Sequence, residues 1–383
     1  MTPTSATPTT ATPATASEAT RTTAGEATRT TVPTTTVPTT TVPTTMVPTT
    51  MTSTTTVAKA LNSALRAAME DDPKVIVMGE DVGKLGGVFR VTDGLQKDFG
   101  DHRVLDTPLA ESGIIGTAVG LAMRGYRPVT EIQFDGFVFP GFDQIISQVA
   151  KITYRSQGCW SMPMVIRIPF GGGIGAVEHH AESPESFFCH IGGLRVVACS
   201  TVQDAYDMLR AAIDCDDPVV FFEPKRRYWE KGSLDTLAGS DSGGDRWPPP
   251  SFRSVVRRPG SDVTVASYGP SMPILLSAAD AAAAEGRSLE VIDLRSLSPL
   301  DLGPVVESVR RTGRLVVVSE APLESSITAN IAARVTEEAF YSLAAPVIRV
   351  AGFDTPYPPS RLEDDYLPDL DKVLDAVDRA LAY

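Results

Sequence analysis

The sequence predicts an α/β protein with two mostly parallel sheets in succession, preceded by a segment that cannot bury a core. Short, wholly apolar runs alternate with stretches of helical spacing. The alternation breaks at a polar region rich in Gly, Ser, Asp and Pro and then resumes, while residues 1–56 consist mainly of Thr, Pro, Ala and Ser. The expected divisions are a disordered tail over 1–56, a sheet domain over 57–232, a linker over 233–260 and a smaller sheet domain over 261–383.

In the tail a VPTT unit recurs at Val32, Val37, Val42 and Val47, with no apolar periodicity to organise it. Met51 stands where sequence complexity becomes normal, and Met46 lies just before it. A translation start at either methionine and a genuine disordered extension are both open readings.

From Val57 onward, Ala60, Leu61, Leu65 and Ala68 recur at helical spacing and predict a helix to Met69, whereas Val75–Met78 is apolar at every position. Strands buried on both faces have that pattern. Further strands are expected over 129–134, 164–168, 196–199 and 219–222, with helices over 142–154 and 201–213. Thr201 with Asp204 resembles a capping box, and Ser183 before Pro184 predicts a cap followed by a proline in the first helical turn. In the second unit, strands are expected over 263–268, 289–293, 314–319 and 346–350. Its helices are expected near 272–284, 301–311, 326–340 and 369–381.

The formal charge of −13 falls wholly after the tail, where Glu18 and Glu26 are cancelled by Arg21 and Arg29. An acidic folded part argues against nucleic acid or an anionic membrane as partner, since both demand a basic face. No run approaches the ~20 apolar residues of a membrane span. The basic-then-apolar order of a secretion signal is also missing, so a cytoplasmic location is expected. Cys159, Cys189, Cys199 and Cys215 have no CxxC spacing and are expected to be reduced thiols.

Candidate chemistry gathers at strand ends, where parallel α/β sheets bind ligands. His179 and His180 lie in the loop between the strand ending at Ile168 and the helix expected near Pro184. The preceding Gly171-Gly172-Gly173-Ile174-Gly175 bends freely but is not a dinucleotide fingerprint. Glu80 and Asp81 follow the Val75–Met78 strand. Glu111 opens the small-residue run Ser112–Ala122. A carboxylate there either is solvated at a helix amino terminus or is buried against a ligand that it hydrogen-bonds, and spacing leaves both readings open.

Longer motifs resolve the choice by resemblance. Gly79-Glu80-Asp81-Val82-Gly83, Gly87-Val88-Phe89-Arg90 and Asp106-Thr107-Pro108-Leu109-Ala110-Glu111-Ser112-Gly113-Ile114 resemble the beta subunits of 2-oxo acid dehydrogenases. So do Glu131-Ile132-Gln133-Phe134, Phe139-Pro140, Phe142-Asp143-Gln144, His179–Glu185 and Phe221-Phe222-Glu223-Pro224-Lys225. The later Asp293-Leu294-Arg295, Ser298-Pro299-Leu300-Asp301 and Asp354-Thr355-Pro356 extend the likeness over essentially all of the chain after the tail.

The resemblance implies a thiamine-diphosphate-binding parallel-sheet domain of transketolase type, followed by a transketolase-type carboxy-terminal domain. It implies that Glu111 hydrogen-bonds the cofactor's aminopyrimidine and favours the imino tautomer that deprotonates the thiazolium. His180 matches the active-site histidine, implied to stabilise charge or donate a proton as the acyl group passes to a lipoyl-lysine. Glu80, Gln133 and Phe137 match residues lining the cofactor cavity, and His179 and Gln133 the channel taken by substrate and lipoyl group. A potassium site would fall on the carbonyls of Met164, Val165, Ala212 and Cys215 and the side chain of Asp217. The implied partners are an alpha subunit in an α2β2 assembly, a lipoyl-bearing acyltransferase core and a small 2-oxo acid.

Some positions depart from the family pattern. Phe137 stands where branched-chain members often have Tyr, Cys215 where Asp is usual, and Ser319 where His is common. Ala181-Glu182 replaces a Ser-Gln pair, and the added carboxylate is expected to raise the pKa of His180 if the side chains meet. The Gly-Asp-Gly motif that holds the diphosphate through Mg2+ is absent from the sequence, so Mg2+ ligands are expected from the alpha subunit. Glu131–Phe134 looks more like the branched-chain set, which points to 3-methyl-2-oxobutanoate; pyruvate or acetoin is the alternative substrate. A noncatalytic assembly subunit is disfavoured by retention of Glu111 and His180, and a self-sufficient transketolase-like enzyme by the missing metal motif.

Overall fold

The computed structural model describes residues 53–236 and 248–383. The expected tail up to residue 52, with its alternative start methionines, and residues 237–247 of the expected linker lie outside the described residues.

The strands in chain order are β1 (Ser53–Thr56), β2 (Val75–Gly79), β3 (Val104–Asp106), β4 (Arg127–Glu131), β5 (Val165–Phe170), β6 (Arg195–Ala198) and β7 (Val219–Pro224). They continue with β8 (Lys231–Leu234), β9 (Val255–Arg258), β10 (Val263–Ser267), β11 (Leu289–Asp293), β12 (Ser296–Ser298), β13 (Leu315–Pro322) and β14 (Ile348–Gly352). A seven-stranded sheet has the order β12-β6-β7-β5-β4-β2-β3, and a five-stranded sheet the order β14-β13-β10-β11-β9. Pairing is parallel except where β12 meets β6 and β9 meets β11. This is the two-sheet α/β architecture that the apolar runs predict.

Strand periodicity explains how the layers assemble. Val165 of β5 faces the helices Val57–Asp71 and Val202–Asp214, which pack on each other over that side of the sheet. Ile166, Ile168 and Phe170 point to the opposite side, where they share a core with the helix Glu111–Met123, with Ala266 and Ile292 of the second sheet, and with Tyr268 and Leu294 just beyond its strands. Each fully buried side chain of this kind contributes roughly 1.5–3 kcal/mol. The two sheets thus bury one common core between them, and helices Met272–Ala284 and Leu370–Leu381 cover the far side of the second.

Several local features differ from expectation. The helix expected over 142–154 is interrupted by a π-helical turn at Ile145–Val149, where the Ala150 N–H reaches back to the Ile145 carbonyl at 3.0 Å. The extra residue keeps Ile145, Val149 and Ala150 all buried. Ser183 does not cap the following helix. Pro184 itself occupies the cap position before Glu185–Cys189, with no side-chain cap bond, because the preceding segment is anchored through Glu182 instead. Thr201 does accept a hydrogen bond from the Asp204 N–H, as the capping box predicts.

The polar stretch expected as a linker carries strands at both ends: β8 pairs with β1, and β9 edges the second sheet. Their arginines, lysine and glycine masked the strand pattern. β12, from the second half of the chain, crosses to the first sheet and extends it beyond β6.

Candidate active site

β2, β4, β5 and β7 lie side by side, and each ends at the same sheet edge. Their carboxyl ends deliver, in turn, Glu80, the segment Gln133–Gly136, the glycine-rich loop with the histidine turn, and Lys225. Next to β2, β3 leads into the helix whose first residue is Glu111. The short helix Asp135–Gly141 packs against both that helix and the turn Glu178–His180, so it joins the carboxylate side of the site to the histidine side.

Glu80 and Glu111 are both nearly buried, at 7% and 6% exposure. Burial pushes the Glu80 carboxyl above its ordinary range, and the neighbouring carboxylates of Glu111 and Asp81 add to the shift. Its Oε1 is buried without a hydrogen-bond partner. Asp81 holds a left-handed backbone at φ +58° and receives the Gln133 amide on its carboxylate at 3.1 Å. Departures of this kind concentrate at functional sites.

His180 stands in an aromatic setting. Its ring lies 4.1 Å from the centroid of Phe134, 5.0 Å from that of Phe137 and 4.4 Å from that of His179. Its Nδ1 is buried and unpartnered. Partial burial lowers the His180 pKa, assisted by His179 and the Lys225 ammonium, so the neutral imidazole is favoured. The expected upward push from Glu182 does not occur. Glu178 is the carboxylate opposing the shift, while Glu182 has its backbone N–H on Asp135 and a carboxyl raised by burial. His179 is exposed, with Nδ1 3.2 Å from Glu178 Oε1.

Beneath this edge, Arg167 bridges Glu131 and Glu223, and Tyr228 also donates to Glu223 at 2.6 Å. All four are buried. Asp135 pairs with Lys225 under the histidine turn. Sequence reading assigned none of these groups a role, since lone charges in strands and loops carry no spacing signal. The one cue was position, because Lys225 follows β7 directly and Asp135 comes four residues after β4 ends at Glu131.

The unpartnered buried atoms of Glu80 and His180 fit a ligand rich in ring nitrogens, and Glu111 adds an acceptor at a helix start. A monovalent cation fits its expected site poorly. The Met164 and Val165 carbonyls accept from the Val219 N–H and the Thr130 hydroxyl, Cys215 O accepts from Arg127, and Asp217 is paired with Arg195. Two guanidinium groups already supply positive charge there. Among the described residues, no three or more His, Cys, Asp or Glu converge as metal ligands. A separate cavity of about 790 Å3 lies beyond the turn, lined by Phe142, Glu182, Phe187, Glu320 and Tyr357, and none of the expected site residues reaches it.

Residues 53–230 match the family described as transketolase, pyrimidine binding domain, and residues 253–373 match transketolase, C-terminal domain. The pyruvate dehydrogenase E1 component subunit beta of Leifsonia xyli subsp. xyli is 61% identical, over 85% of this chain and 95% of its own length. The chain belongs to the beta subunits of 2-oxo acid dehydrogenase E1 components. The 3-methyl-2-oxobutanoate dehydrogenase subunit beta of Mycobacterium tuberculosis is 54% identical to this beta chain, over 85% of it and 92% of the relative. A 2-oxoisovalerate dehydrogenase subunit beta from Bacillus subtilis is 42% identical, over 84% and 97%. A solved structure titled split gene transketolase, inactive beta4 tetramer, superposes with a TM-score of 0.67 at 22% identity, covering 85% of this beta chain and 98% of its own, a likeness of fold. No helix among the described residues is long and apolar enough to cross a membrane.

Proposed function

We propose that this chain supplies the aminopyrimidine side of a thiamine diphosphate site, completed by an alpha subunit in an α2β2 assembly that decarboxylates a branched-chain 2-oxo acid and acylates a lipoyl domain. The observation that carries the reading is the convergence of Glu80, Glu111 and His180 at one sheet edge, with Glu80 Oε1 and His180 Nδ1 buried and unpartnered. The cofactor, when bound, supplies the electron sink for decarboxylation.

Glu111 would hold the pyrimidine by a hydrogen bond at its ring nitrogen, and Glu80, Gln133 and Phe137 would line the pocket. Burial and the neighbouring carboxylates raise the Glu80 carboxyl, so it holds a proton more readily than a free carboxylate does. His180, kept neutral by burial and by its cationic neighbour, can accept a proton or deliver one as the acyl group passes to a lipoyl-lysine entering beside His179. With no Gly-Asp-Gly in the sequence, diphosphate and Mg2+ contacts are assigned to the alpha subunit. Potassium plays no part in this reading.

The aromatic wall of Phe134 and Phe137 favours an apolar side chain such as that of 3-methyl-2-oxobutanoate. Pyruvate remains the second reading, supported by the 61% identical relative named for it. The test is coexpression with the alpha partner and assay of both acids. We expect no turnover by the single chain, turnover by the pair, and kcat/KM favouring the branched acid. Vigorous turnover by the purified chain alone would refute the split site; a higher kcat/KM for pyruvate would reverse the substrate assignment.

A further inference from the structure

The histidine turn is held from below by a buried ion pair that no catalytic step uses. Asp135 and Lys225 are 0% and 2% exposed and in direct contact. Lys225 Nζ also donates to the backbone carbonyl of His180, while the second oxygen of Asp135 accepts the Glu182 N–H at 2.7 Å. One partner of the pair therefore grips the turn at His180 and the other grips it two residues later. Gly136 closes the third side: a Cβ there would sit 2.5 Å from the His179 carbonyl oxygen and 2.8 Å from its Cβ. The turn and the short helix Asp135–Gly141 approach so closely at Gly136 that only a hydrogen fits between them.

A cheaper arrangement was available. An apolar pair of similar volume would avoid desolvating two charges, and such replacements are often neutral or stabilising. What an apolar pair cannot supply is the two directional bonds to the turn's backbone. The ring of His180 makes aromatic contacts with Phe134, Phe137 and His179, which fix spacing but not the orientation of Nδ1 and Nε2.

We propose that Asp135, Lys225 and Gly136 form a cradle that positions the His180 imidazole for proton transfer during acylation, so that the buried ion pair serves orientation and not stability. These are positioning residues; none touches substrate. The proposal rests on the acyl-transfer role given to His180 above.

The test uses the assembled α–β complex carrying Asp135→Leu together with Lys225→Met, which removes both charges and both backbone bonds at once. Gly136→Ala is prepared separately, because it displaces the turn without altering any charge. His180→Ala serves as the reference. Four quantities are read: melting temperature, thiamine diphosphate affinity by fluorescence quenching, deuterium exchange at C2 of the bound cofactor, and the rate of reductive acylation of a lipoyl domain.

For both the double variant and Gly136→Ala we expect acylation to fall roughly 10- to 100-fold, the usual size of a loss from misplacing a reacting group by about an ångström. Cofactor affinity and C2 exchange should stay within about twofold, and the double variant should melt near the parent. Acylation at the parental rate in a well-folded double variant or in Gly136→Ala overturns the cradle. A fall in melting temperature and in all functional quantities together assigns the pair to stability and also overturns it. If His180→Ala itself acylates normally, the histidine assignment fails, and the cradle fails with it for a distinguishable reason.

Discussion

Arg167 meets Glu223 through two parallel hydrogen bonds, Nε to Oε1 at 2.7 Å and Nη2 to Oε2 at 2.8 Å, with the two side chains 1% and 0% exposed. Its remaining terminal nitrogen reaches Glu131 at 2.6 Å. Burial opposes the guanidinium's charge, but Glu223 and Glu131 outweigh it and hold the pKa above its ordinary value. Replacing Arg167 by Met should therefore strand two carboxylates in the core and cost about 3–5 kcal/mol. Urea denaturation followed by circular dichroism measures it. A loss under about 1 kcal/mol would mean that water reaches the strands' inner face after all.

Glu185 is fully buried, accepts the Tyr268 hydroxyl, and is pushed by burial to a pKa of about 7. The folded state then holds its proton more tightly than the unfolded chain does. The stabilisation is fully present below about pH 4.5, the unfolded value, and is lost as pH rises towards about 7. Glu185→Gln keeps the acceptor for Tyr268 but has no proton to lose. The melting temperature of the variant relative to the parent should rise from pH 5 to about pH 7 and level off above it; a constant difference from pH 5 to pH 8 would show that the acid ionises freely.

Exchange of the cofactor's C2 proton in the assembled complex separates the two assigned catalytic residues. If Glu111 holds the pyrimidine as proposed, Glu111→Gln weakens that contact, and exchange should slow by on the order of 10²-fold. His180→Ala should leave exchange largely intact while acylation of a lipoyl domain falls. If the histidine variant stops exchange as completely as the glutamine variant does, the division of roles is wrong.

Glu363, in the second half of the chain, accepts the backbone N–H of Gly173 at 2.8 Å and of Gly175 at 3.0 Å, and also the Tyr357 hydroxyl at 2.6 Å. Removing it by Glu363→Ala leaves those amide donors without their acceptor, at a cost of about 1–3 kcal/mol. Amide hydrogen exchange should accelerate at Gly173 and Gly175 before any other part of the sheet edge responds. Unchanged protection there would show that the glycine loop is held by its own backbone.

What could be read from sequence followed the kind of signal each element carries. Val75–Met78 and Val219–Phe222 are apolar at every position, and their short length and β-branched or aromatic content favour strand over helix. Thr201 and Asp204 announced their helix because a cap is a local interaction. β9, by contrast, hides Val255 and Val256 between a proline-rich stretch and two arginines, and only its pairing with β11 makes it a strand. At the site, Glu80, Glu111 and His180 were visible through long motifs at strand ends. Asp135, Arg167 and Lys225 were not. Their meaning lies in partners 90 and 36 or 56 residues away, at distances no local pattern spans.

β12 gives the chain a property that its sequence divisions conceal. Because Ser296–Ser298 completes the outer margin of the first sheet beside β6, a fragment ending in the stretch between the two sheets would expose a row of unsatisfied backbone groups along Arg195–Ala198. Such an open margin invites pairing with other chains. The protein should accordingly melt in a single cooperative step, and attempts to produce its amino-terminal half alone should yield aggregates, although each half has a sheet of its own.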